Sequence, residues 1–261
     1  ARCEQQPGQP RKLSARDVNQ KAGEFLATAG ALLMMTDTAA EGRMEQRRVR
    51  AFNNRNFDPT KFPPAVVVSN EDFGRMQRVL ADGTPIEAEF NIVNQIYPEG
   101  KTSYNTISEI AGTDKKDEVI MLGGHLDSWH SSTGATDNAD GAAAVLEAMR
   151  ILKTIGAQPK RTIRMALWSG EEQGLYGSQR YVEKYLAGEA NKAAREKFNV
   201  YFNLDPGSGP IYGWYLENNE AVRPILDAWL APFKNLGARR NILQGITNTD
   251  HLSFTRAGLL G

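Results

Sequence analysis

The sequence has few cysteines, few histidines and no long apolar segment. Cys3 is the only cysteine among 261 residues, so no internal disulfide can form, and cysteine content does not identify a redox compartment. No apolar run approaches the ~20 residues that a membrane-spanning helix requires, and no signal peptide is visible. Because the chain begins at Ala1 rather than Met, we expect a processed or excised product.

The chain also lacks a net charge. Its 31 basic and 31 acidic residues cancel, which argues against nucleic acid or an anionic membrane surface as the main partner. The sequence contains no Gly-x-Ser-x-Gly elbow and no phosphate-binding glycine-rich loop, so neither a serine hydrolase nor a nucleotide-binding protein is indicated. A hydrophobic content of 41% is enough for a packed core.

Residues 1–95 predict a small strand–helix domain without a catalytic cluster of its own. In chain order we expect a polar loop over 1–20, a helix over 21–29, a short strand over 31–35, a charged surface loop over 37–58, a strand over 64–68, a helix over 71–80 and a strand over 87–93. Ser69 or Asn70 can cap the second of these helices.

Residues 96–261 predict a larger domain in which continuous apolar strands alternate with helices. Such strands are typical of a sheet that is covered on both faces. We expect strands over 103–110, 118–122, 161–168, 198–204 and 211–216, and helices over 139–155, 174–186 and 221–236. Asp137 or Asn138 can cap the first of these helices. The predicted fold is therefore α/β, with a mostly parallel central sheet flanked by helices.

Four short polar motifs lie where a predicted strand ends or a predicted helix begins. They are His125-Leu126-Asp127, Asp137-Asn138, Glu171-Glu172 and Asn203-Leu204-Asp205. Open α/β sheets form their active sites outside the carboxyl ends of the strands. The chain has only three histidines, so one at such a strand end is informative.

The residue types in these motifs suit metal ions. Zinc binds imidazole nitrogen and carboxylate oxygen, and paired metals share a bridging ligand. His125 can bind a metal while Asp127 accepts its second N–H, and of Glu171 and Glu172 one can bind metal while the other transfers protons. Taken singly, each motif has a plainer explanation as a surface loop, a helix cap, a helix-dipole partner or a turn. All four in this order indicate a metal site.

In their wider context the motifs resemble the di-zinc exopeptidase family. The matching segments are Gly123-Gly124-His125-Leu126-Asp127-Ser128-Trp129, Gly134-Ala135-Thr136-Asp137-Asn138-Ala139-Asp140-Gly141, Leu167-Trp168-Ser169-Gly170-Glu171-Glu172-Gln173-Gly174 and Asn203-Leu204-Asp205. The Trp after the first motif and the stretch from Pro159 to Gly174 are most similar to the plasma glutamate carboxypeptidase (carboxypeptidase Q) branch. Within residues 1–95, Pro64 to Asp82 resembles the second half of a protease-associated domain.

The resemblance implies a role for each motif residue. His125, Asp137 and Asp205 would bind one zinc, and Asp137 would bridge to a second zinc that Glu172 also binds. Glu171 would be the general base that activates the bridging water and later protonates the leaving amine.

The resemblance also implies supporting residues. Asp127 would orient His125. His251 corresponds to a residue that lines the substrate pocket, and we expect Asp250 and Trp129 to line that pocket with it.

Two features depart from the family pattern. The family's second zinc takes a further histidine from a loop well after the stretch that corresponds here to Thr249–Phe254, and this chain ends at Gly261 without it. The first half of the protease-associated domain is also missing. We therefore expect a fragment of a longer enzyme, which holds one zinc or none and is poorly active.

The resulting functional prediction is a zinc-dependent exopeptidase that hydrolyses a terminal peptide bond of small peptides. Aminopeptidase and dipeptidase or carboxypeptidase specificity both stay open. Two alternatives on the same fold are a non-catalytic receptor or binding module and a glutaminyl-cyclase-like enzyme; the retained motif residues favour a peptidase. We expect no nucleic-acid partner and no membrane span, a secreted or periplasmic location as the family implies, and a homodimer as one assembly to test.

Overall fold

The computed structural model describes residues 14–37, 63–129 and 132–261, apart from Asn94, Ile96, Pro98, Lys101 and Ser208. Cys3 and almost all of the loop expected over 37–58 lie outside the described residues. The chain divides into two compact units, Ala1–Gln95 and Ile96–Gly261. None of the described helices has the length and apolar character needed to cross a membrane.

The described part of the first unit contains two helices and a two-stranded parallel sheet. In chain order these elements are α1 (Ala15–Thr28), β1 (Met34–Asp37), β2 (Ala65–Val68) and α2 (Asn70–Ala81). The predicted loop over 1–20 is wrong for its last six residues, because Ser14 and Asp17 form a reciprocal capping box that starts α1 at Ala15. Ser69 caps α2 as predicted.

The strand predicted over 87–93 does not form in these described residues. The side chains from Glu87 to Val93 are all exposed. Alternating polarity marks a strand only where a neighbouring strand accepts and donates its backbone hydrogen bonds. No such neighbour is present in the described part of this unit.

The second unit is built on a four-stranded sheet. Its strands are β3 (Thr106–Ile110), β4 (Lys115–His125), β5 (Arg161–Trp168) and β6 (Phe198–Asn203), in the spatial order β3-β5-β4-β6. The last three run parallel, and β3 pairs antiparallel with β5 at the edge. This confirms the predicted α/β fold with a mostly parallel sheet.

Five α-helices accompany the sheet in the described part of this unit. They are α3 (Asp140–Thr154), α4 (Tyr176–Tyr185), α5 (Lys192–Lys197), α6 (Arg223–Leu230) and α7 (His251–Thr255). The helix predicted over 221–236 is shorter, because Pro232 has no N–H to continue α6 and the chain proceeds as a 3-10 segment, Ala231–Leu236. The strand predicted over 211–216 is wrong, since only Tyr215 forms a bridge, to Ile242.

The sheet is covered on both faces, and β5 shows how its sequence achieves this. Ala166 and Trp168 pack with residues of α4 and α7 on one face, while Met165 and Leu167 pack with α3 on the other. Successive side chains of a strand point to opposite faces, so an unbroken apolar run supplies both cores. The carboxyl edge of this buried sheet carries the polar motifs.

Candidate metal centre

The end of β4 delivers His125 into the interior, where only 1% of the residue is exposed. Gly124 permits this, because a Cβ there would lie 2.4 Å from the carbonyl oxygen of Leu204. The segments that follow β4 and β6 can therefore approach each other at backbone distance.

The imidazole of His125 is oriented by the backbone that follows it. Nδ1 lies 2.9 Å from the carbonyl oxygen of Asp127, so Nδ1 carries the hydrogen and the lone pair of a neutral ring sits on Nε2. Nε2 faces two carboxylates, 3.0 Å from Asp137 Oδ1 and 3.7 Å from Asp205 Oδ1. It is buried and has no hydrogen-bond partner among the described residues. A buried nitrogen in this position is suited to a cation.

Asp137 reaches the imidazole from a distorted turn rather than from a regular helix start. The turn Ala135–Ala139 is a single π-helical turn. Asp137 and Asn138 within it have non-helical backbone angles, and the peptide bond between them is cis. The prediction that either residue caps the following helix is wrong, because α3 begins at Asp140 without a side-chain cap. The Asp137 side chain is 59% exposed.

Asn138 is a structural partner that sequence patterns do not reveal. Its buried Nδ2 donates to the carbonyl oxygen of Leu204 at 2.9 Å, which ties the turn to the segment after β6. A Cβ at Gly141 would lie 2.2 Å from Asn138 Oδ1. The small residue at 141 is therefore required for this contact.

Asp205 follows β6 and is held by a hydroxyl group. Thr249 Oγ1 donates to Asp205 Oδ2 at 2.8 Å, which leaves Oδ1 turned towards His125. Burial would raise the pKa of Asp205, but His125 and Thr249 outweigh this effect and hold the pKa below its usual value. The carboxylate is therefore ionised over the working pH range.

His125, Asp137 and Asp205 together form a candidate metal-binding set. One ligand atom from each lies within 4.8 Å of the other two. Burial lowers the pKa of His125, yet Asp205 and Glu171 more than offset it and raise the pKa to about 10 in the metal-free protein. Such a stabilised positive charge shows that the carboxylates create a strong negative potential at Nε2. One nitrogen and two carboxylate oxygens fit zinc.

Asp127 differs from its predicted role. Its carbonyl, rather than its carboxylate, orients His125, and the nearest carboxylate oxygen is 3.8 Å from Nδ1. The carboxylate instead accepts the backbone N–H of Glu171 at 3.1 Å through Oδ1 and that of Glu172 at 3.2 Å through Oδ2. Asp127 therefore connects the loop after β4 to the turn after β5.

Glu171 and Glu172 lie close to His125, Asp137 and Asp205, and the pKa of each glutamate is raised. Burial is the largest cause that raises the pKa of Glu171 to about 8, and His125 opposes it. Burial and then Asp137 raise the pKa of Glu172 to about 7. Oε1 of Glu172 is buried without a hydrogen-bond partner among the described residues.

The three residues predicted to line the substrate pocket occupy different environments. Asp250 is fully buried and His251 is 4% exposed, whereas Trp129 is partly buried in the loop after β4. His251 Nε2 lies 3.2 Å from Glu217 Oε2. Burial raises the pKa of Asp250 to about 7. In this structure Asp250 and His251 therefore lie beneath the site surface.

Sequence similarity extends across most of this unit. Residues 105–261 match the family described as Peptidase family M28. Carboxypeptidase Q of Rattus norvegicus is 30% identical over 198 residues, which are 76% of this chain and 40% of that protein. The chain thus spans about 40% of the length of this curated relative.

Two solved structures have a similar fold. The Peptidase M28 precursor from Shewanella amazonensis SB2B is 26% identical with a TM-score of 0.68, over 92% of this chain and 52% of that chain. The Bacillus subtilis zinc aminopeptidase BSAP is 23% identical with a TM-score of 0.52, over 76% of this chain and 46% of that chain, which shows the fold alone. Because the family match covers more than half of the sequence, the chain belongs to peptidase family M28.

Proposed function

We propose that this chain carries the metal centre of a zinc-dependent exopeptidase that hydrolyses a terminal peptide bond of small peptides. The observation that carries the proposal is the buried Nε2 of His125, which faces the carboxylates of Asp137 and Asp205. In the metal-free protein a proton on Nε2 balances these carboxylates, and a metal ion would take the place of that proton.

The donor set favours zinc over harder cations. Magnesium and calcium prefer oxygen ligands, whereas zinc accepts imidazole nitrogen with carboxylate oxygen. Three protein ligands leave one position of a tetrahedral ion for water or substrate. Zinc held by these residues would supply a Lewis acid that polarises the scissile carbonyl and acidifies a water molecule.

Glu171 is the proposed general base and acid. Its pKa of about 8 is close to neutrality, where a group can both accept and return a proton. Glu171 would take a proton from the attacking water and deliver it to the nitrogen of the departing amine. Asp127 would hold Glu171 in place through its backbone N–H.

Glu172 is proposed as a ligand to a second zinc that Asp137 would share. The support is its partnerless buried oxygen and the influence of Asp137 on its pKa. Glu172 is not one of the three residues that come together in this structure.

The substrate class follows from the relatives. One relative is named a carboxypeptidase, which supports cleavage at a chain end. The protease-associated identity of residues 1–95, a secreted or periplasmic location and a homodimer remain predictions. The strand–helix pair β2 and α2 is the part of the first unit on which the protease-associated prediction depends.

Zinc binding and turnover of the full chain test the proposal. We would load the protein with zinc, remove free metal and measure bound zinc by plasma mass spectrometry for wild type, Asp137→Asn and Asp140→Asn. Asp140 is a matched control, because it is exposed at the same helix start and, among the described residues, its side chain accepts a hydrogen bond only from the N–H of Gly141. We expect the wild type and the control to retain zinc and Asp137→Asn to lose it.

Activity assays separate the alternatives on this fold. Hydrolysis of an amino-acyl anilide by the zinc-loaded wild type, and not by Asp137→Asn, supports a peptidase. Cyclisation of a peptide with N-terminal glutamine would instead support a glutaminyl-cyclase-like enzyme. Zinc binding without either reaction, or no zinc at all, contradicts the proposal.

A further inference from the structure

A chain of side-chain hydrogen bonds runs from the aromatic core of the second unit to Asp205. It begins at Trp168 Nε1, which donates to the hydroxyl oxygen of Tyr201 at 2.8 Å. Trp168 and Tyr201 are almost completely buried. An indole N–H can only donate, so the Tyr201 oxygen is the acceptor and its own hydrogen is free to point onward.

The next link fixes the amide of Asn203. The Tyr201 hydroxyl donates to Asn203 Oδ1 at 2.7 Å, and Asn203 Nδ2 donates to Thr249 Oγ1 at 2.8 Å. With the oxygen engaged by Tyr201, the NH2 group is the end that faces Thr249. Tyr201 thus sets which end of the Asn203 amide points towards the metal centre.

Thr249 is the last link and donates to the Asp205 carboxylate. Because its oxygen accepts from Asn203, its hydroxyl hydrogen is available for Asp205 Oδ2, 2.8 Å away. One oxygen of Asp205 is therefore occupied, and the other faces His125 Nε2 at 3.7 Å. In this series of hydrogen bonds each donor has one acceptor, and every bond is donated in the direction from Trp168 towards Asp205.

The geometry of the sheet makes this chain possible. Trp168 is on β5 and Tyr201 is on β6, with β4 between them. Gly123 of β4 leaves room for the Tyr201 side chain, because a Cβ there would be 3.1 Å from the Tyr201 hydroxyl oxygen. The Tyr201 ring is held by stacking on Phe254, at a centroid distance of 4.3 Å. The position of the hydroxyl is therefore fixed by core packing.

We propose that Tyr201 and Asn203 are positioning residues, which hold the Asp205 carboxylate in its metal-binding orientation through Thr249. This inference rests on the proposed zinc-dependent function. Tyr201 is too deep in the fold to act on a peptide, and the amide of the partly buried Asn203 is engaged at both ends by Tyr201 and Thr249. Loss of an outer hydrogen-bond partner typically weakens metal affinity about 10- to 100-fold.

Tyr201→Phe tests the proposal, because it removes the hydroxyl and keeps the ring that stacks on Phe254. The measurement is the zinc dissociation constant, by competition with a chromophoric chelator, together with the melting temperature of the metal-free protein. Tyr181→Phe is the matched control, since Tyr181 is a buried tyrosine of the same core whose hydroxyl bonds to Arg164 instead.

We expect Tyr201→Phe to bind zinc about 10-fold more weakly or worse, and Tyr181→Phe to bind it as the wild type does even if its melting temperature falls. Equal zinc affinity in the two variants overturns the positioning role. If the wild type itself binds no zinc, the proposed function fails, which is a different result.

Thr249→Val tests the same chain at its last link if Tyr201→Phe does not fold. It should weaken zinc binding by a similar factor, and Thr249→Ser, which keeps the hydroxyl, should restore the affinity. Unchanged affinity in Thr249→Val overturns the proposal.

Discussion

His125 and Trp168 are register partners at the carboxyl ends of the parallel strands β4 and β5. The backbone N–H of Leu126 continues the pairing by donating to the carbonyl oxygen of Trp168 at 2.7 Å. Because both strands end at the same level, the loops that follow them start side by side. This brings the Asp127 carboxylate within hydrogen-bond distance of the Glu171 and Glu172 amides.

Asp127→Asn should lower turnover while zinc stays bound. The carboxylate offers two oxygens to two N–H groups, whereas an amide offers one oxygen and turns an NH2 group towards the other donor. We expect kcat to fall about 10- to 100-fold, by analogy with the loss of other supporting hydrogen bonds. Steady-state kinetics and zinc content of the same preparation would check this, and unchanged kcat would show that the turn after β5 needs no such support.

Glu171→Gln should separate proton transfer from metal binding. Removal of a general acid–base group costs roughly 10²- to 10⁴-fold in rate, and Glu171 is not one of the three grouped residues that could hold a metal. We expect kcat to fall in that range with zinc content preserved. Loss of zinc together with activity would mean that Glu171 acts as a ligand instead.

The metal-free protein should become less stable as the pH rises from about 5 to 8. The folded-state pKa of Glu171 is raised from 4.5 to about 8 and that of Asp250 from 3.8 to about 7, mainly by burial. A carboxyl group with a raised pKa contributes stability that is complete below its unfolded-state pKa and is lost as the pH rises through the folded-state pKa. The raised pKa of His125 acts in the same direction up to about pH 10. Asp205 has a lowered pKa, so its contribution to the stability of the fold is lost only in acid.

Thermal melts of chelator-treated protein at several pH values would measure this dependence. Zinc should reverse it, because ligands bind metal in their deprotonated form. The Glu171→Gln variant should show a shallower decline between pH 5 and 8. A melting temperature that rises over this interval without metal would contradict the assignment of the buried carboxyl groups.

Gly141→Ala should destabilise the second unit although alanine favours helices. A Cβ at 141 would meet Asn138 Oδ1 at 2.2 Å and the Leu204 carbonyl oxygen at 2.6 Å, so we expect a loss of about 1–3 kcal/mol from overpacking. Gly74→Ala in α2 is the matched control, because its nearest neighbour is the flexible end of Arg78 at 3.2 Å. It should leave stability unchanged or raise it by up to about 1 kcal/mol. Urea unfolding of both variants would check the contrast, and equal effects would contradict it.

The sequence was a good guide wherever one element determines its own structure. The apolar runs of β4, β5 and β6 and the polar residues at their ends could be read directly, as could the end of α3 before Gly156. The predictions were wrong where a segment needs a partner strand from elsewhere in the sequence to form a strand. The 87–93 segment alternates in polarity but has no neighbouring strand, and 211–216 obtains a single bridge.

The details of the metal centre depend on contacts that no local pattern contains. Thr249 bonds to Asp205 across 44 residues and Asn138 to Leu204 across 66. The carboxylate of Asp127 accepts hydrogen bonds from two backbone amides after β5, and not from the imidazole two residues away. Residue type predicted which side chains could bind a metal, whereas their support required the folded chain.

The three residues of the candidate metal-binding set differ in exposure. The Asp137 side chain is 59% exposed, while His125 is almost fully buried. An ion that arrives from solvent would therefore meet the Asp137 carboxylate before the imidazole, and an ion that leaves would pass Asp137 last. We expect substitutions in the turn that precedes α3 to change the rate of metal exchange.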